Sequence, residues 1–343
     1  MRVLILGAGN IGTVVAYDLA RDFEVTVVDV SDNALSSVKS FAEPLKFDVT
    51  QREKLQELMR RYELVIDTLP GKFGFYILKS AIKARTDIVD VSFMPENPLE
   101  LQADITAVVD AGFAPGLSNI LLGHLYKELG ELEEALIRVG GLPKDPEPPL
   151  YYTSTWSPED LLEEYTRKAR IVKDGKIVEV DPLAQIGKVK LDSFEFEEFP
   201  SDGLRTLLYT IKAKNMEERT LRWPGHLEKI KVLKELGFFA PENRELTLKI
   251  LLSLMKEGPD FCIMEVYGRN ENGEMRYLML DEAGDFSSMA RVTGYTAAVI
   301  SRLVLAGEIG EGIVAPEHIG MENEKLQRIL GFLTNKGIKL NKL

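Results

Sequence analysis

Short apolar runs separated by segments of helical period organise the first third of the chain. Val3 to Leu6 is one such run, uninterrupted in the way of a strand buried on both faces. Val25 to Val28 supplies a second strand, Leu45 to Val49 a third and Leu64 to Leu69 a fourth. Ile88 to Ser92 and Ile105 to Asp110 follow as the fifth and sixth. Between them, the segment from Asn10, Asp32 to Phe41, Arg52 to Tyr62 and Phe75 to Arg85 have helical spacing. Strands and helices in this alternation predict an α/β fold, a doubly wound parallel sheet with helices on both faces.

The rhythm changes after Gly112. Leu117 to Leu129 puts Leu117, Leu121, Leu122 and Leu125 on one helical face, with Ser118 or Asn119 available as a cap. Strand alternation then recurs at Ala135 to Gly141, Ile171-Val172, Ile177 to Val180, Leu191 to Phe199 and Phe261 to Tyr267. Met275 to Leu280 pairs with the last of these across Asn272-Gly273. Helical stretches fall at Pro158 to Thr166, Gly203 to Ile211, His226 to Leu236 and Arg244 to Met255. Ala290 to Leu305 is an apolar helix with Gly294, Ala297 and Ala298 near its middle, and Glu322 to Leu330 is a further helix. The expected division is a nucleotide-binding domain over 1–115, an α+β substrate and dimerisation domain over 116–288, and C-terminal helices over 289–343 that return to the first.

The junction after the first strand carries the strongest chemical signal. Gly7, Gly9 and Gly12 stand where a turn tightens, where backbone approaches a pyrophosphate, and where a helix packs closely on a strand. Asn10 and Ile11 open that helix, whose free amides and dipole favour a phosphate anion. Asp29 ends the second strand, placed to accept hydrogen bonds from a ribose diol and to repel a 2′-phosphate. This pattern predicts NAD as the cofactor. Asp48 in the third strand, Thr68, Leu69 and Pro70 with Asp67 at the end of the fourth, and Ser92 at the end of the fifth complete the expected cofactor contacts. The alternative is a glycine turn in an α/β domain without a cofactor.

Composition narrows the field. A net charge of −12 argues against nucleic acid or an anionic membrane surface as partner, and no apolar stretch reaches membrane-spanning length. Cytoplasmic residence is the default. Cys262 is the only cysteine, so no disulfide framework or cysteine-rich metal site is possible, and no ligand spacing points to a metal.

Candidate chemistry outside the glycine turn lies in two segments and at strand ends. In Leu221-Arg222-Trp223-Pro224-Gly225-His226, Arg222 has the fork that meets a carboxylate, and His226 is a proton-exchanging group or a helix-entry cap. In the segment Tyr151 to Pro158, Tyr152 and Trp156 can wall an amphipathic pocket or serve as ordinary packing. Asp90 and Asp110 end strands, where doubly wound sheets collect ligands.

Together these segments resemble the saccharopine dehydrogenase/reductase-like superfamily, and especially its lysine 6-dehydrogenase branch. The resemblance is carried by Val3 to Gly12, Asp110 to Gly116, Val139 to Pro143, Pro148 to Leu150 and Arg222 to His226. It implies NAD-dependent oxidation at the ε-carbon of L-lysine, with imine hydrolysis and ammonia release, by a homo-oligomer. Saccharopine or a carboxylated polyamine is the alternative substrate, and an NAD-binding regulatory protein the alternative class. For the implied reaction an acceptor must take a proton from the amine. Asp90, Asp110 and His226 are the candidates, with Arg222 for the substrate carboxylate and Tyr152 and Trp156 as walls around its stem.

Overall fold

The computed structural model describes residues 1–153, 158–255 and 258–343. In chain order the first elements are β1 (Arg2–Leu6), α1 (Asn10–Leu19), β2 (Glu24–Asp29), α2 (Asp32–Ser36), β3 (Glu43–Lys46), α3 (Arg52–Met59) and β4 (Leu64–Asp67). Then come α4 (Gly71–Ala84), β5 (Asp87–Asp90), β6 (Thr106–Val108), α5 (Leu117–Leu129), β7 (Leu132–Pro143) and α6 (Pro158–Thr166). The middle of the chain forms β8 (Ala169–Lys173), β9 (Lys176–Val180), β10 (Gly187–Leu191), β11 (Phe194–Ser201), α7 (Leu207–Thr210) and β12 (Ala213–Arg222). Next are α8 (His226–Glu235), α9 (Arg244–Leu254), β13 (Asp260–Asn270), β14 (Gly273–Glu282) and α10 (Ser288–Leu305). The chain closes with β15 (Gly312–Val314), α11 (Pro316–Gly320), α12 (Asn323–Asn335) and β16 (Lys339–Lys342).

Two compact units result, Met1–His124 with Ala290–Gly337, and Leu125–Met289 with Ile338–Leu343. By packing, the first division falls inside α5. Within the first unit Gly123 of α5 lets the helix approach the Glu317 carbonyl of α11, where a Cβ would sit 2.2 Å away.

The first unit is a parallel seven-stranded sheet in the order β15-β6-β5-β4-β1-β2-β3. The order reverses between β1 and β4, which is the crevice where such sheets take ligands. The apolar runs are buried as expected, Val3 to Leu6 and Leu64 to Ile66 completely. Leu4, Leu6, Val65 and Ile88 share a core with Leu55, Met59, Ile77 and Leu78 from α3 and α4. The third strand occupies Glu43–Lys46 and not Leu45 to Val49, because its backbone pairs with Thr26 to Asp29 and leaves an edge where apolar content says little. The seventh strand, β15, is too short for its pattern to register in the sequence. Gly294 on α10 abuts α1: a Cβ there would lie 2.9 Å from Val14. The small residue serves helix packing.

The second unit is a mixed sheet in the order β10-β11-β12-β7-β13-β14-β16, with β8 pairing β12 and β9. Only β12 and β7 run parallel on that path. Three expectations change here. Leu191 to Phe199 is split by the turn at Asp192, whose φ is 54°, so β10 and β11 form a hairpin. The helix expected over Gly203 to Ile211 shrinks to the single turn α7. The strand β12 carries Glu217, Glu218, Arg219 and Arg222. Its polar residues hid it in the sequence, yet it pairs in parallel with β7 on one side and with β11 on the other, where Arg219 meets Glu198. Arg138 on β7 extends this row of charges to Glu198 and Glu265. Among the described residues, no helix is long and apolar enough to cross a membrane.

Candidate functional site

The glycine turn closes on itself in the first unit. Gly7 has φ of 104°, a left-handed conformation open to glycine, and its amide donates to the Val28 carbonyl at 2.8 Å. A Cβ on Gly12 would lie 2.0 Å from the Gly7 carbonyl oxygen, so only glycine admits this approach of α1 to β1. A Cβ on Gly9 would meet open space, which leaves its backbone accessible beside exposed Asn10 and half-buried Ile11. The N-cap of α1 is Gly9, and among the described residues no side-chain cap bonds there, so the helix presents its first amides to a ligand.

Asp29 is fixed before any ligand arrives. Its Oδ2 accepts the Ala8 amide at 2.9 Å and its Oδ1 accepts the Ser31 amide at 2.8 Å. The carboxylate is thereby held beside the glycine turn. Thr68 donates to the Leu6 carbonyl at 2.8 Å, Leu69 donates its amide to Asp67, and Pro70 precedes α4 as its N-cap. These three line the start of the second half of the sheet. Asp48 stands at the other side, where the Thr50 hydroxyl and amide hold its carboxyl below the usual range.

Asp90 and Asp110 are completely buried at the ends of β5 and β6. Asp90 accepts the Ser92 amide at 2.6 Å, and its carbonyl accepts the Ala111 amide. Asp110 has φ of 50°, a conformation that costs a non-glycine residue energy and persists where surroundings enforce it. Ser92, also buried, has its hydroxyl against Gly74 of α4, whose missing side chain makes room for it. Asp67 stands at a strand end where ligands collect, and the sequence assigns it no role of its own. It is completely buried beside Asp90, and burial together with the Asp90 charge pushes its carboxyl well above the ordinary range. The available signal was the repetition of an apolar run ending in aspartate, Val65-Ile66-Asp67 and Ile88-Val89-Asp90.

The second unit brings Tyr152, Arg222 and His226 together. Arg222 is 2% exposed, its guanidinium 4.4 Å from the Tyr152 ring centre. Its Nε donates to the Tyr165 hydroxyl at 2.9 Å, Nη1 to the Leu221 carbonyl, and Nη2 to Glu164 at 2.5 Å. The fork expected to meet a substrate carboxylate is thus closed within the protein, because a buried guanidinium requires its own counter-charge. His226 is completely buried, with Nδ1 2.7 Å from the Leu150 carbonyl and Nε2 2.9 Å from the Tyr165 hydroxyl. The carbonyl only accepts, so Nδ1 carries the proton and Nε2 accepts from Tyr165. Burial first, and the Arg222 charge second, push His226 down to about 3. The expectation of proton exchange near neutrality is corrected by that environment. Trp156 lies outside the described residues. Glu164 and Tyr165, which organise this cluster, were hidden in an ordinary amphipathic helix. Among the described residues no group of His, Cys, Asp or Glu is arranged to hold a metal. Cys262 is a free, buried thiol that burial pushes up.

A doubly wound sheet with a glycine turn, an uncapped helix and a fixed acidic residue after the second strand defines the dinucleotide-binding class. The chain belongs to the saccharopine dehydrogenase family: residues 3–111 match the saccharopine dehydrogenase NADP binding domain and residues 112–338 the saccharopine dehydrogenase C-terminal domain. It is 27% identical over 270 residues to saccharopine dehydrogenase [NADP(+), L-glutamate-forming] of Saccharomyces cerevisiae, covering 72% of this chain and 60% of the relative. Alpha-aminoadipic semialdehyde synthase, mitochondrial, of Mus musculus is 28% identical over 99% of this chain and 41% of its own length. The chain thus aligns with less than two thirds of either. Carboxynorspermidine synthase of Vibrio cholerae is 22% identical over 71% of this chain and 68% of the relative. The apo saccharopine dehydrogenase (L-Glu forming) structure from Saccharomyces cerevisiae shares the fold, with a TM-score of 0.82, 24% identity, and coverage of 100% of this chain and 99% of that one.

Proposed function

We propose that the protein is an NAD-dependent dehydrogenase that oxidatively deaminates the ε-amine of L-lysine to 2-aminoadipate 6-semialdehyde with release of ammonia. The observation that carries the cofactor reading is Asp29, held by two backbone amides beside the Gly7 to Gly12 turn. That anion suits a ribose diol and opposes a 2′-phosphate, so NAD is favoured over the NADP in the matched domain's description. Gly7, Gly9, Asn10, Ile11, Gly12 and Asp29 would hold one half of the cofactor, and Thr68, Leu69, Pro70 and Ser92 the other, with Asp48 at the rim.

When bound, the nicotinamide supplies the hydride acceptor. The chain's own task is to present a neutral amine, because an ammonium has no lone pair to form the carbon–nitrogen double bond. Asp90 and Asp110, at strand ends in the same unit, are the proposed acceptors of the ammonium proton. The pKa of His226 disfavours it for this role near neutral pH. Tyr152 and Arg222 act in this reading as a rigid support, since the guanidinium is already engaged.

The second reading, a saccharopine or carboxylated-polyamine dehydrogenase, is supported by the names of the relatives. Those substrates carry carboxylates that call for free cations. Arg222, Arg219 and Arg138 each already hold a protein carboxylate, so a further substrate carboxylate would need a different cation. Self-association belongs to the first reading: α8, the residue that follows it and α9 expose Val232, Leu236, Leu246, Ile250 and Leu254. Sedimentation of the purified chain tests it.

The deciding experiment is the initial rate of NAD reduction with L-lysine, run beside NADP, saccharopine, ornithine and carboxylated polyamines. Lysine-dependent NADH formation with one ammonia per turnover is the expected result. Turnover of another panel member in place of lysine moves the substrate assignment. NAD binding without turnover of any panel member favours a regulatory protein.

A further inference from the structure

The first unit places an aspartate at the carboxyl end of three neighbouring strands: Asp67 ends β4, Asp90 ends β5, and Asp110 follows β6. Asp67 and Asp90 stand opposite each other in parallel register, which sets their backbones about 4.8 Å apart. Their local conformations match as well. Each Oδ1 accepts the amide two residues further on, Leu69 at 3.0 Å and Ser92 at 2.6 Å. Register and conformation together put both carboxyl groups on one face of the sheet.

Both side chains are completely buried, and Oδ2 of Asp67 has no hydrogen-bond partner among the described residues. Two like charges this close in a low-dielectric interior repel far beyond thermal energy, so the pair ionises once. Burial and the Asp90 charge accordingly raise the Asp67 acid. Beside Asp67, β1 presents Leu6, which is not ionisable. The start of α4 brings Lys72, whose ammonium lies 5.5 Å from the centre of the Phe73 ring.

The position of the pair gives the charge a use. Doubly wound sheets bind one nucleotide on each side of the reversal in strand order. Asp29 on β2 marks the adenosine side, and β4 and β5 lie on the other. We propose that Asp67 and Asp90 hold one proton between them and keep a single buried negative charge in the nicotinamide half, favouring the cationic oxidised cofactor over the neutral reduced one. The inference rests on the dinucleotide reading above. Asp67, completely buried, acts through its field, as a positioning residue.

The test is equilibrium binding of NAD+ and NADH to the full chain, followed by fluorescence, with the affinity ratio as readout. Asparagine mimics the protonated carboxyl, so Asp67→Asn leaves the single charge on Asp90 and keeps the ratio within about two-fold. The double variant D67N/D90N loses the charge and shifts the ratio about ten-fold toward NADH. That shift raises the potential of the bound couple by about 30 mV. A ratio unmoved in the double variant while both forms bind overturns the proposal. A ten-fold shift in Asp67→Asn alone overturns it too, because two independent charges would then be present.

Infrared spectroscopy of the ligand-free chain covers a double variant that folds poorly. The wild type must show a protonated-carboxyl band at neutral pH that Asp67→Asn abolishes, and a wild type without that band overturns the shared proton. Failure of the wild type to bind either cofactor form overturns the dinucleotide reading, and the redox preference with it, whatever the infrared result.

Discussion

Each unit buries a polar cluster, and the two are built on opposite terms. In the second unit the donors of Arg222, Tyr165 and His226 run in one direction, guanidinium to phenol to imidazole to the Leu150 carbonyl, with Glu164 as counter-charge. In the first unit Asp67 and Asp90 set two carboxyl groups side by side, and one oxygen of Asp67 has no hydrogen bond among the described residues. A satisfied network specifies shape and rewards the fold. Paired acids cost the fold energy and persist where a site requires charge. The contrast separates a support from a working edge, although the second cluster looked more like an active site in sequence.

The largest effect that would break this comparison is expected from Arg222→Ala. It leaves Glu164 without its counter-charge and two acceptors unmet, and should cost about 3–5 kcal/mol in urea unfolding. Tyr165→Phe keeps the ring and interrupts the donor chain at its centre, so a loss of about 1–3 kcal/mol is expected from the same measurement. Near-wild-type stability in both would mean that the cluster is not a support.

The third test is pH. His226 has a folded value near 3 against an ordinary 6.5, so the unfolded chain takes up its proton first. Its contribution is complete above pH 6.5 and is lost as pH falls from there toward 3. Across that window the wild type should lose up to about 1.4 kcal/mol per pH unit more than His226→Gln. Parallel stability curves for the two proteins would show that the imidazole is not held neutral.

The smallest effect sharpens the contrast from the other side. Asp67→Asn removes an ionisable group that burial penalises, and the stability at neutral pH should stay level or rise by about 1 kcal/mol. A fall comparable to that of Tyr165→Phe would place the acidic pair among the supports.

What could be read without coordinates follows from the range of the interactions involved. The Gly7 to Gly12 turn and Asp29 were legible because a strand, a turn and a helix start are local, and each glycine answers a backbone requirement within that unit. The helices Leu117–Leu129 and Pro158–Thr166 were equally readable from period and breakers. Arg222 and His226 were found as neighbours, but not their work, since Glu164, Tyr165 and Leu150 come from segments about 60 to 75 residues away.

The sequence by itself determined the alternation of strands and helices, the dinucleotide turn and the acid that follows it, because these are set by side-chain period and backbone freedom over short spans. Only the tertiary structure decided that β12 lies within the second sheet, that Arg222 is already paired, that His226 is neutral, and that Asp67 and Asp90 share an edge. The physical reason is common to all four. The state of a buried charge depends on which distant groups surround it and exclude water, and strand pairing brings those groups together across the chain.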